Sequence, residues 1–495
     1  MSRIIIQNGN MCELDLPLKF AQKLYNEFAI RHPNAFYLRT RQRGMQNWDG
    51  KIHYITKTGQ FKIGLLPKVY DMCIEMGIKP KVVDMRQPLP KVSKVVTNIG
   101  KYKLRPEQER AVKSVINNRV GNIPFQIGVL DLTVNFGKTL IMTSLYLSYK
   151  KQLKTLLITN DSDWLNQARE EFKQYLPGED ITFVQGKVLN WSNFTIGMVQ
   201  SISRNMRFYQ KELSQIDMVL IDEADQGGSK QYQNVITRLF NTRIRIGLSG
   251  TIYMSKLAKD RVKNMNLECF FGKVIAEFKL KDSIKKGYST KTVVKMVPGK
   301  PWYGNWESDC ISYKEIYDDS ITNCYTAWLM AYNRLLWNLN QGRYPALVVC
   351  KHIAHCENLY KFFKKKLGDA YNIAYVHVNT PSKLRQQIMK DFREGKIDIL
   401  VSTTIIARGK NFPKLRYLLN AASMDSQEKS IQFLGRLVRT DKSKKKVYLD
   451  DLHYPGNYLD RHGKHRKQYY QRQELKVILL DKLWKKHPNH SLIKS

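Results

Sequence analysis

Two rhythms of apolar and polar residues divide the chain. Up to residue 92 the segments are short and mixed. Phe20, Ala21, Leu24 and Phe28 recur at helical spacing after Pro17, which predicts an amphipathic helix. The stretch "KIHYITKTGQFKIGLL" alternates apolar with polar, predicting two strands about a Thr-Gly turn, and "PKVYDMCIEMG" predicts a helix closed by Gly77. Residues 1–92 are therefore expected to form a small α+β domain, with the prolines and basic residues of "RQPLPKVSK" as the linker that follows.

Beyond the linker the pattern changes to short apolar runs alternating with helical stretches. "IGVLDLTV", "TLLITN", "ITFVQG", "FTIGMVQ", "DMVLIDEA" and "IRIGLSG" are the runs of the first series, over 98–282. After "KKGYSTKTVVKMV" a second series begins with "ALVVC", "IAYVHV", "IDILVST", "LRYLLNAA" and "KKVYLDDL", over 283–455. Continuous apolar runs separated by helices predict parallel sheets covered on both faces, with ligands at the carboxyl ends of the strands. The expected fold class is α/β, two tandem parallel-sheet domains preceded by the small α+β unit. Residues 456–495, including "RHGKHRKQYYQRQ", are expected to be a basic helical extension, either a solvated charged face or a nucleic-acid contact.

Composition adds a partner to this picture. The 495 residues carry a formal charge of +39, an excess that favours binding a polyanion; phosphate contacts supply most sequence-independent affinity for nucleic acid. No stretch approaches the roughly eighteen apolar residues of a membrane helix, and "MSRIIIQNGN" is too short and polar for a signal peptide. A cytoplasmic location is expected. Seven cysteines without a regular framework fit a reducing compartment. Cys350, His352, His355 and Cys356 of "CKHIAHC" have the residue types of a zinc site, yet "ALVVC" reads as a strand and "IAHCENLYKFF" as the next helix, which should scatter them over different faces.

The candidate chemistry begins at "LDLTVNFGKTL", which follows a strand and precedes a helix, as a phosphate-binding loop must. Gly137 lets the backbone approach phosphate oxygens, Lys138 brings a positive charge, and the Thr139 hydroxyl can hold magnesium. Leu132 stands where the first glycine of the usual pattern is expected. In "MVLIDEADQGG" Asp222 ends a strand and suits a second magnesium carboxylate, while Glu223 is placed to deprotonate an attacking water. Without the upstream loop the same stretch would read as a buried strand entering a polar turn. In "IQFLGRLVRT", Arg436 and Arg439 are spaced one helical turn apart, as charge-stabilising arginines or as a salt-bridged helix surface.

In order, "GKT" at 137–139, "DEAD" at 222–225, "SGT" at 249–251, "STTIIARGKNFP" at 402–413 and "QFLGRLVR" at 432–439 resemble the motifs of superfamily 2 helicases. The resemblance implies two RecA-like domains with ATP between them and single-stranded nucleic acid across their upper faces. It further implies that Gln108 reads adenine, that Ser249, Thr251 and Gln432 couple hydrolysis to strand movement, that Thr403 lies near the nucleic-acid backbone, and that Arg408 and Gly409 approach ATP. By the same likeness Ser162, Gln200 and Ser201 are placed on the first domain's strand-binding face, although "TNDSDWLNQ" departs from the usual pattern there, as Asn411 does where aspartate is common. Gln432 at the head of the last motif argues against the RNA-directed branch that the literal "DEAD" invites.

"RTRQRGMQNWDGKIHYI" and "GLLPKVYDMCIEMG" are similar to the front domain of UvsW-type phage recombination helicases. Arg39, Arg41, Arg43 and Lys51, interleaved with Tyr37 and Trp48, are candidates to grip phosphates and stack on a base; the alternative is that the aromatics are core and the arginines solvated. The resemblance implies ATP and Mg²⁺ as cofactors and single-stranded and branched DNA as partners, with RNA–DNA hybrids as a further substrate, in an infected bacterial cell. It leaves three alternatives: an RNA helicase, an annealing protein switched by ATP, or the motor subunit of a larger DNA-processing complex.

Overall fold

A computed structural model describes residues 2–41, 45–186, 188–252, 260–299, 312–407 and 412–480. The chain divides into two compact units, Met1–Leu132 with Phe136–Phe278, and Thr133–Asn135 with Lys279–Ser495.

The first unit opens with a four-stranded sheet in the order Gln60–Lys62, Met11–Asp15, Arg3–Ile6, Lys81–Asp84. The expected helix after Pro17 spans Leu18–Glu27, burying Leu24, and Phe28 is buried just beyond its end. The helix before Gly77 spans Leu66–Glu75, with Gly77 taking the positive φ that ends it. The expected hairpin is different. Lys51–His53 pairs with Ala29–Arg31 and Gln60–Lys62 pairs with Met11–Glu13, so the two alternating segments serve separate sheets, linked by an isolated Ile55–Phe61 bridge and by the Thr56 N–H donating to the Gln60 carbonyl. The Thr56–Gly59 turn forms as expected; longer-range partners decide the pairing.

The main sheet of this unit has eight strands in the order Val188–Leu189, Ile181–Gln185, Phe194–Met198, Thr155–Thr159, Met218–Asp222, Ile244–Ser249, Ile127–Leu132, Val274–Phe278. Seven are parallel, and Val188–Leu189 is an antiparallel edge. The four central strands, Thr155–Thr159 to Ile127–Leu132, are buried at every position, which explains their unbroken apolar runs. Fully buried Arg245 ties the N-terminal elements to this sheet: its guanidinium donates to the Gly9 carbonyl (2.6 Å), Asn10 Oδ1 (2.8 Å) and the Phe270 carbonyl (3.1 Å).

The second unit carries seven strands, all parallel, in the order Ile373–Val376, Ile399–Thr403, Ala346–Cys350, Tyr417–Asn420, Lys446–His453, Lys291–Pro298, Val477–Leu479. The architecture is the expected pair of RecA-like parallel-sheet domains with a small α+β region in front. The basic segment after residue 455 forms the helix Asn457–Arg472 and then the edge strand of this sheet, paired with Val294–Met296. Its charge is not all solvated. Arg466 is fully buried, forking onto Asp451 (2.8 and 2.9 Å) and donating to the carbonyls of Met424 and Leu452, while Asn420 and Tyr470 donate to the same carboxylate. Fully satisfied in this way, the pair fixes where the helix packs.

The "CKHIAHC" strand and helix form as expected, at Ala346–Cys350 and Ile353–Leu367, but the side chains do not all scatter: the thiols of buried Cys350 and Cys356 interact. His355 points elsewhere, its Nδ1 3.1 Å from the Tyr317 hydroxyl. Among the described residues no group of His, Cys, Asp or Glu is arranged to hold a metal. Burial pulls the His355 pKa down to about 3, and that of His462 to about 4. Both are therefore neutral when folded, whereas an unfolded chain binds these protons below about pH 6.5. Their stabilisation is complete above that pH and is lost as pH falls toward the folded values. His355 alone should cost about 2 kcal/mol by pH 5. Melting temperatures measured from pH 7 to pH 5 should fall, and His355→Gln should fall less steeply; equal slopes would remove His355 from this account.

Candidate nucleotide and nucleic-acid site

The parallel register puts the ends of the central strands of the first unit at one level: Asp131 pairs with Ser249, and Asp222 with Leu248. The phosphate-loop candidate leaves this edge after Leu132 and enters the helix Lys138–Ser148. Gly137 has φ +83°, and a Cβ there would stand 2.5 Å from Gln108 Nε2, so only glycine fits. Buried Gln108 accepts from the Arg105 N–H (2.8 Å) and donates to the Phe136 carbonyl (2.6 Å), to which the Arg105 guanidinium also donates (2.5 Å). Gln108 and Arg105 thus brace the loop from behind. Arg105 was not singled out from the sequence; its place at the N-cap of a Pro106 helix was the available signal.

Lys138, the first residue of its helix, places Nζ 3.6 Å from Asp222 Oδ1. Asp222 is 7% exposed, and burial raises its carboxyl pKa against the pull of Lys138 and the Glu223 N–H. Its Oδ1 is buried and receives no hydrogen bond. A buried oxygen of this kind beside a helix N-terminus, with the Thr139 hydroxyl in the first turn, suits a hard divalent cation and a phosphate chain. Glu223 follows with φ +53°, a left-handed conformation that a non-glycine residue takes only where surrounding structure imposes it. The imposed turn is packed tightly: a Cβ on Gly247 would lie 2.7 Å from the Ala224 Cβ.

Ser249 donates to Asp225 Oδ1 (2.9 Å), accepts from the Thr251 N–H (3.1 Å), and lies 3.1 Å from the Thr251 hydroxyl. The third acid of "DEAD" is therefore joined to "SGT", a role for Asp225 that spacing alone does not reveal. Ser162, exposed at the start of its helix, and Gln200 and Ser201 follow the ends of two neighbouring strands paired at Thr159 and Met198. Gln200 Nε2 donates to the Asn160 carbonyl (3.4 Å), and Ser201 Oγ accepts from the Gly186 N–H (2.9 Å).

In the second unit Thr403 ends a strand and is nearly buried, and neighbouring Thr404 accepts from Lys429 Nζ (3.1 Å). Gln432 and Arg436 lie on the helix Gln427–Leu437, which ends before Arg439. The two arginines do not share that helix: Val438 is its C-cap, with its carbonyl taken by the Thr290 N–H, and the Arg439 carbonyl accepts from the Thr290 hydroxyl. Arg408, Gly409 and Asn411 lie outside the described residues, as does Arg43.

Arg39, Arg41 and Lys51 are exposed. Tyr37 is not core: it is 55% exposed, with the Arg41 guanidinium 5.1 Å from its ring. Trp48 is half-buried and donates to the Lys51 carbonyl (2.9 Å). Phe36, missed in the sequence, is 80% exposed beside Arg31, Arg39 and Lys51 on a groove of about 560 Å³.

A phosphate loop and paired acids at the carboxyl edge of one parallel sheet, followed by a second parallel sheet with an arginine-bearing helix, define a nucleotide-driven motor of RecA-like domains. The family described as "Type III restriction enzyme, res subunit" matches residues 101–254, and "Helicase conserved C-terminal domain" matches 329–441. In that order the two place the chain among the superfamily 2 helicases. Putative helicase 22 of Sulfolobus islandicus filamentous virus is 22% identical over 71% of this chain, which spans 64% of that protein's length. The ATP-dependent DNA helicase uvsW of Enterobacteria phage T4 is 22% identical over 88% of this chain and 90% of its own. A fragment of a putative HsdR subunit of a type I restriction enzyme from Vibrio vulnificus shares the fold, with a TM-score of 0.56, 15% identity, and coverage of 76% of this chain and 68% of that one.

Proposed function

We propose that this superfamily 2 helicase is an ATP-dependent DNA helicase or translocase that remodels branched DNA, driving branch migration, fork reversal and the unwinding of RNA paired to DNA. The observation that carries the DNA reading is the basic groove with exposed Phe36 near the start of a chain that is similar to a phage DNA helicase over 88% of its length. Residues 1–92 act as the DNA-binding accessory domain, 98–282 and 283–455 as the two motor domains, and 456–495 as the C-terminal extension. The setting is the cytoplasm of an infected bacterial cell.

Bound ATP supplies the phosphoanhydride to be cleaved, and Mg²⁺ neutralises its phosphates. Gly137 and the first N–H groups of its helix cradle the phosphate chain, with Lys138 as the counter-charge. Thr139 and Asp222 would hold the cation, the latter through the buried Oδ1 that faces Lys138 Nζ. Glu223 accepts the proton of the attacking water. Arg436 and Arg439 stabilise charge developing on the terminal phosphate. Gln108, braced against the loop, reports adenine to it. Ser249, Thr251 and Gln432 relay hydrolysis to the strand, which Ser162, Gln200, Ser201 and Thr403 hold by its backbone. Arg39, Arg41, Arg43, Trp48 and Lys51 grip the duplex or junction.

ATPase rates without nucleic acid, and with equal nucleotides of single-stranded DNA, duplex, four-way junction and RNA at two salt concentrations, test this reading. Strong stimulation by single-stranded or branched DNA that weakens with salt is expected. Stimulation by RNA alone would make the chain an RNA motor, and none by any of them would overturn the helicase mechanism proposed for it alone.

A further inference from the structure

A second cationic feature lies at the opposite edge of the second sheet from Thr403. Arg343 precedes the strand Ala346–Cys350, and Lys446 begins the strand Lys446–His453. Both stand at amino ends, a strand's length, roughly 15 Å, from the carboxyl edge. Here charged and aromatic groups alternate. Lys446 Nζ lies 5.7 Å from the Tyr448 ring, on which the Arg343 guanidinium stacks at 3.6 Å. Arg343 also lies 4.7 Å from the Trp337 ring, which Lys295 Nζ (4.8 Å) and Arg334 (5.0 Å) approach as well. Trp337 remains 41% exposed.

One carboxylate serves these four cations. Asp450 is buried and is taken by Arg334 (2.5 and 3.0 Å), leaving Lys295, Arg343 and Lys446 without an ion-pair partner among the described residues. The aromatic faces hold the cations in place, yet do not neutralise them. Burial lowers the Lys295 pKa; the Asp450 charge opposes that, while those of Arg334, Arg343 and Lys446 add to it, so the cations are close enough to repel.

We propose that this ladder is a second nucleic-acid contact, taking the phosphodiester backbone of a duplex arm that lies beyond the motor's own strand-binding edge. The inference rests on the proposed nucleic-acid function and adds a site to it. A polyanion relieves the mutual repulsion of three fixed cations, and one that binds Lys446 and Arg343 must release a counterion for each phosphate met. Trp337 is hemmed by cations rather than open for stacking, so the contact is to backbone and is blind to sequence.

The test uses the full chain, wild type and an Arg343→Gln, Lys446→Gln double variant. Binding is measured across a salt series to a duplex of about 40 base pairs and to a single strand of about eight nucleotides. The double variant should bind the duplex about tenfold more weakly, with a salt slope shallower by about two, and bind the short strand as the wild type does. Lys446→Gln alone, an exposed change that leaves the fold intact, should lower the slope by about one. An unchanged slope in both variants overturns the proposal, as does loss of poly-glutamate binding with DNA binding intact, which would assign the ladder to an acidic protein. A wild-type chain that binds neither DNA probe refutes the nucleic-acid function itself, a result distinct from failure of this site.

Discussion

Glu223→Gln should abolish ATP turnover while leaving ATP bound. The substitution keeps the side chain's size and its left-handed backbone, and removes only the ability to accept a proton. Neighbouring Asp222 is buried and faces Lys138 Nζ at 3.6 Å, a different setting from that of Glu223. The loss expected of a general base is roughly 10²- to 10⁴-fold in kcat, with nucleotide affinity changed little. Steady-state hydrolysis alongside equilibrium binding of a fluorescent ATP analogue separates the two effects. Turnover within tenfold of wild type would take the base from Glu223; lost nucleotide binding would mean the residue shapes the loop instead. Strand separation should vanish with turnover, whereas a passive annealing protein would continue to anneal.

The largest effect on stability should come from Arg245→Leu. Its guanidinium is fully buried with no carboxylate partner among the described residues, and burial, aided by Arg86, pulls its pKa down to about 9. Two main-chain carbonyls and one side-chain amide compensate that cost, and removing the arginine strands all three acceptors in an apolar interior. A loss of about 3–5 kcal/mol is expected, with Arg245→Lys recovering little because an ammonium cannot span the three acceptors as a planar fork does. Urea unfolding measures the loss. Protease should also cut the stretch around residues 85–100 sooner, since the Gly9 anchor is gone. A midpoint unchanged from wild type would show that the N-terminal elements are held by their apolar contacts alone.

The features legible in the sequence are those set by local pattern. Unbroken apolar runs announced buried parallel strands, and Gly137, Lys138 and Asp222 came together because strand ends in a parallel sheet meet at one edge. What the pattern hid was set by distant partners. The Thr-Gly turn is real, yet its flanking strands separate because Met11–Glu13 and Ala29–Arg31 compete successfully for them. Asp225 reads as one more acid until Ser249 is found against it. Arg466 sits in a segment so basic that solvation was the natural expectation, and only the Asp451 carboxylate explains its burial. Arg439 falls outside its helix because Thr290, just before a strand far upstream, takes the carbonyl that another turn would need.

The Arg466–Asp451 clasp bears on how the protein is made. A ribosome delivers residues in order, and domains tend to fold as their last strands emerge. The first unit needs nothing beyond Phe278 to close its sheet. The second is different: when Asp451 has been synthesised its counter-charge is still fifteen residues away, and the edge strand Val477–Leu479 is further still. Until both arrive, a carboxylate destined for the interior has no cation, and the strand Lys291–Pro298 offers an open edge to any neighbouring chain. Translation thus passes through an interval in which the front half is finished and the rear half is the part that a chaperone would need to shield.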